Sequence, residues 1–138
     1  MSENLKSWGT LNKLIEDYAE NKDTFGLEKI QEMRENISLQ LFFLSDLFSE
    51  YIASYELAEH VRKSYMAERE QYWRTQLDEN NKSMTITEAA NRARIESKEQ
   101  VEACKEALRK KKRAEIVLSS VQQILNALSS RLTVLKEK

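Results

Sequence analysis

Apolar residues recur three and four positions apart along most of this chain, the spacing of one face of an α-helix. Leu11, Leu14, Ile15 and Tyr18 form the first such stripe, and Thr10 stands before it as an expected N-cap. This spacing predicts a short helix over 10–21. Asn21 to Gly26 then reads as a loop. From Leu27 a second stripe follows through Ile30, Met33, Ile37, Leu41, Leu44, Phe48, Tyr51 and Tyr55, predicting a long helix over 27–79. Leu39, Phe42, Phe43 and Leu47 widen it until much of the circumference is apolar, which calls for neighbours on several sides.

The pattern lapses between Asp78 and Glu88. Thr85 and Glu88 have capping-box spacing there, with Thr87 as a competing cap. A second long helix is predicted over 85–135. Its register is set by Leu118, Val121, Leu125, Leu128, Leu132 and Leu135. Extended backward, it gives a seam of smaller residues: Ala90, Ala93, Ser97, Gln100, Cys104, Ala107, Lys111 and Ala114. Small residues let helices approach closely and leucines lock them. The expectation is a single all-α domain over 1–138. A short N-terminal helix joins a long antiparallel helical hairpin, and copies assemble through coiled-coil-like packing of the leucine seam.

Composition supports long helices. The chain has 138 residues, two glycines and no proline, so tight turns and hairpin strands have little to build them. The apolar run from Ile37 to Phe48 contains Asp46 and is too short to span a bilayer. A single cysteine, Cys104, has no internal disulfide partner. With no secretory signal evident, a cytoplasmic location follows, in a bacterial host on the reading developed below.

The net charge of −1 conceals a gradient. Residues 1–64 hold 7 Lys/Arg against 12 Asp/Glu, whereas residues 105–138 hold 9 against 3. Five of those cations are consecutive: Arg109, Lys110, Lys111, Lys112 and Arg113. They turn through about 400° of helix, so they form a collar rather than a face, with Lys111 on the seam. Glu106 and Glu115 stand four residues from Lys110 and Lys111 and can neutralise part of the run. The collar is either a solvated helix surface or a phosphate-binding belt. Tyr65, Tyr72 and Trp73 interleave with Arg69 and Arg74. They either continue the packing stripe or offer a platform for stacked bases, with Trp73 as the base contact. Arg92 and Arg94 could extend that basic surface.

No enzyme motif, cofactor site or metal cluster can be assembled. His60, the lone histidine, reads as a surface residue, and Cys104 as a small buried one.

The order of features in the second half resembles phage recombination mediators of the UvsY type. The segment "AEREQYW" (Ala67 to Trp73) precedes a polar loop. A long helix rich in Lys, Ala and Leu follows, ending "ILNALSSRLTVLK" with Ser130-Arg131 as a small-residue-plus-Arg close. The chain departs from that family between Arg109 and Val117, where the family's Asp- and aromatic-rich segment has no counterpart. The resemblance implies a ring-like homo-oligomer that binds single-stranded DNA without sequence preference and assists a recombinase or a single-strand-binding protein. The alternative is a non-enzymatic interaction protein, a coiled-coil adaptor or an inhibitor of a host or defence factor. Its working surface would be the acidic first half.

Overall fold

A computed structural model describes residues 2–77 and 79–137. Among them all regular structure is helical. Helix α1 covers Ser2–Asn21 and a 3-10 turn covers Lys22–Thr24; α2 covers Leu27–Arg74, α3 Ile86–Glu96 and α4 Lys98–Glu137. One isolated antiparallel bridge, Leu77 to Ser83, pins the interhelix loop. The expected all-α class and the pairing of the two long helices are present.

The helices differ from the apolar pattern at three places. Helix α1 begins eight residues before Thr10, whose hydroxyl donates to the Lys6 carbonyl as in a helix interior. The stripe extends backward through Ser7 and Trp8 rather than through aliphatics. Ser7 is buried, and Trp8 packs edge-on to Phe48 at 5.5 Å between ring centroids. Helix α2 ends at Arg74 rather than at 79. The Thr75 and Gln76 amides there fall back to three-residue hydrogen bonds on Tyr72 and Trp73. Leu77 is left exposed. Asn81 then takes φ 59, a left-handed conformation that asparagine tolerates. The loop's expected first residue, Asp78, lies outside the described residues. The third helix starts as expected, with Thr85 accepting from the Glu88 amide, but it is interrupted at Ser97. The fully buried Ser97 hydroxyl donates to the Ala93 carbonyl at 2.6 Å. Such back-bonding bends a helix. Hydrogen bonding resumes at once, the Val101 amide donating to the Ser97 carbonyl.

The chain divides into two compact units, 1–50 with 113–138, and 51–112. In the first, α1 and parts of α2 and α4 share a core of Leu11, Ile30, Met33, Ile37, Leu44, Val121 and Leu128, each at most 1% exposed. Arg131 closes one side by donating to the Lys22 and Asp23 carbonyls of the 3-10 turn. This core changes the assignment of the leucine seam. Val121, Leu128 and Leu132 are buried within the single chain, and Leu118, Leu125 and Leu135 are half-buried. Of the six positions expected as an oligomer interface, Val121, Leu128 and Leu132 are thus already covered by three helical segments of one chain, and Leu118, Leu125 and Leu135 keep part of their surface open.

The second unit is a hairpin of α2 against α3 and the first part of α4. Its buried residues are small: Ala89, Ala93, Ser97 and Cys104. Two helices cannot enclose large side chains, so Tyr51, Tyr55, Tyr65 and Trp73 remain half-buried. Amide hydrogen exchange should therefore be faster through 51–112 than through the first unit's core, since local opening there exposes little apolar area. Equal protection of the two units would contradict this division of the core.

Candidate nucleic-acid interface

The collar does not encircle α4 evenly. Arg109, Lys110, Lys112 and Arg113 are exposed, while Lys111 is half-buried with its ammonium 4.7 Å from the Tyr55 ring centre. That cation–π contact explains how a lysine occupies the seam: its stem lies on apolar surface and its charge meets a ring face. Arg109 pairs with Glu106 at 2.7 Å, taking the partner expected for Lys110. Arg113 lies over Trp8 at 5.7 Å, within the first unit.

The exposed cations form a stripe longer than the collar. Lys98, Lys105, Arg109 and Lys112 are spaced by seven, four and three residues, one helical face. All four are exposed. Glu102 holds Lys105 at 3.8 Å and Glu106 holds Arg109, so both acids lie along the same stripe. Lys98, Lys110 and Lys112 enter no ion pair among the described residues. Lys98 and Lys105 stand outside the run of consecutive cations, and only their helical spacing marks them in the sequence.

Trp73 has a different setting from the one a base-stacking platform needs. Its indole nitrogen donates to Glu96 at 2.8 Å, and the other oxygen of that carboxylate takes the Arg69 guanidinium. Arg92 covers the indole at 4.7 Å, and Tyr72 meets its edge at 5.1 Å. Arg69 lies over the Tyr72 ring at 4.3 Å. This is a clasp that ties α2 to α3, in which Trp73 is half-buried and Arg92 lies over it from the exposed side. Arg74 and Arg94 stay exposed, Arg94 donating to Asn91. Glu96, the hub of the clasp, belongs to no motif in the sequence. Its only sequence signal is a position four residues after Arg92.

A second polar cluster lies deeper along the hairpin. Glu59 accepts from Arg62 at 2.6 Å and from the Cys104 thiol at 3.0 Å, with Lys63 at 3.4 Å. Hydrogen bonding from Arg62, then from Cys104, lowers the Glu59 carboxyl from 4.5 to about 2. The Glu96 carboxyl is lowered chiefly by Arg69. The Cys104 thiol is pushed up, first by its bond to the Glu59 carboxylate and then by burial, which makes it a poor nucleophile.

Both carboxylates thus favour the folded hairpin above their ordinary pKa and lose that contribution as pH falls. The hairpin should weaken between about pH 4.5 and about 2. Circular dichroism melts across that range would show it. Glu59→Gln should flatten the dependence, and an unchanged profile would remove Glu59 as its source.

Among the described residues no His/Cys/Asp/Glu group could hold a metal ion, and no helix is long and apolar enough to cross a membrane. Comparison with protein-family models, curated proteins and solved structures finds no match.

Proposed function

We propose that the chain is a non-enzymatic accessory protein that binds single-stranded nucleic acid through the basic stripe of α4. The observation carrying this reading is the exposed row Lys98, Lys105, Arg109 and Lys112, with Lys110 and Arg113 beside it on the same unbroken helix. A straight row of cations over about four turns can track a phosphate backbone. Recognition is then electrostatic and indifferent to base sequence, because base edges are not read. The clasp around Trp73 leaves stacking a small role.

One stripe with two of its cations paired to glutamates binds weakly. Affinity grows when several copies share one strand, since each further contact becomes intramolecular. Self-association on a strand is therefore part of the proposal, by a surface other than the buried seam. The resemblance to recombination mediators supplies the role: assisting a recombinase or a single-strand-binding protein on DNA in a bacterial cytoplasm. Fluorescence anisotropy with labelled oligo(dT) tests the binding. Titrated at low salt, wild-type protein should raise the anisotropy; a flat titration would remove the reading.

A further inference from the structure

The exposed side of α2 in the first unit carries an apolar patch with no cover. Leu39 is 48% exposed, Phe42 73% and Phe43 50%, the two rings standing 6.0 Å apart. Their neighbours along the same side are Glu32 and Glu35 before the patch and Asp46 and Glu50 after it, all exposed. At 3.6 residues per turn, these seven residues fall within about 100° of arc. None of the four acids enters an ion pair among the described residues. Arg34 is the one cation of α2 between Glu32 and Glu50, and it lies about 80° outside the arc. Lys6 of α1 and Thr10 line a shallow groove that runs beside Phe43.

We propose that this face docks a cationic amphipathic helix of another protein, apolar at its middle and rich in Lys or Arg at both ends. Phe42 and Phe43 supply the desolvated anchors, as buried aromatics do in helix-groove complexes. The carboxylates at either end fix register and reject acidic partners. From Glu32 to Glu50 the face runs about 27 Å, enough to lie along a partner helix of about five turns.

Charge decides between this occupant and a second copy. A twofold contact through the face would set four carboxylates against four, a repulsion that a cationic helix turns into attraction. The surface is built from α2 and shares no residue with the basic stripe of α4. It gives the acidic first half a working role of its own, so a protein bound to nucleic acid through α4 could hold a basic partner through α2.

The test uses the intact protein and a fluorescein-labelled peptide of about 18 residues, with leucines at the centre of one helical face and lysines at both ends. A twin with glutamate for lysine is the control. The lysine peptide should bind at low salt, with the glutamate twin at least about tenfold weaker. Phe42→Ser with Phe43→Ser should weaken the lysine peptide by about tenfold or more without lowering the melting temperature, since both rings are exposed. Glu35→Gln with Asp46→Gln should weaken it and flatten its salt dependence.

Equal binding of both peptides would overturn the proposal, as would undiminished binding by the Phe42/Phe43 variant. So would light scattering that shows a dimer of the wild type converted to monomer by that variant, because the face would then belong to a second copy. Oligo(dT) binding by the Phe42/Phe43 variant reports the α4 stripe separately. Its loss from wild type and variant alike would remove the nucleic-acid reading and leave the peptide result standing.

Discussion

Leu128→Asp is expected to unfold the first unit, lowering stability by about 4 kcal/mol or more. Leu128 is 1% exposed and belongs to the same core as Leu11, Ile30, Met33, Ile37, Leu44 and Val121. A carboxylate there loses the leucine's packing and is taken out of water. The chain has little to spare, since domains of this size are stable by only about 5–15 kcal/mol. Urea unfolding followed by circular dichroism should show the midpoint collapse or the folded baseline disappear. Val134→Asp on the same helix is the control, because Val134 is half exposed and its change should cost little. If Leu128→Asp shifted the midpoint no more than Val134→Asp, Leu128 would not be core. The leucine register of α4 would then have to rotate.

The second large effect is on nucleic-acid binding. Changing Arg109, Lys110, Lys112 and Arg113 together to glutamine removes four exposed charges from α4. Glutamine is a good helix former, so the helix should persist. For wild type, four phosphate contacts on a single strand give a slope of about −2.8 in log K against log salt. That corresponds to a loss of about fiftyfold in affinity between 50 and 200 mM salt. The glutamine variant should bind more weakly at low salt and show a slope of about −1.4, half that of wild type. Lys98 and Lys105 remain in it and set the residual binding. Wild-type binding with the same slope in the variant would make the collar a solvated helix surface.

Much of the architecture was legible in the residues alone. With no proline and apolar residues three and four apart, the chain has few options other than long helices. The seam of α4 was legible because periodicity fixes which residues share a face. Ala93, Ser97, Cys104, Ala114, Val121, Leu128 and Leu132 are all buried, at the predicted register. The Thr85 cap was readable for a similar reason, being a local hydrogen bond between residues three apart.

Periodicity states that a face is covered but not by what. That gap explains the leucine seam: the sequence required a partner surface, and for Val121, Leu128 and Leu132 the tertiary structure supplies it within one chain, from α1 and α2. It also explains Trp73. Its contact with Glu96 joins residues 23 apart across a loop, and no local pattern encodes such a pair. Lys111, Tyr55 and the Glu59–Cys104 bond are of the same kind. The acidic aromatic face is the reverse case. Leu39, Phe42 and Phe43 read as packing residues because every large apolar residue is worth burying. Only the placement of α1 and α4 on the other sides of α2 leaves them in water. Local hydrogen bonding and helical period belong to the sequence; which apolar face finds a neighbour depends on how many helices one chain can bring to it.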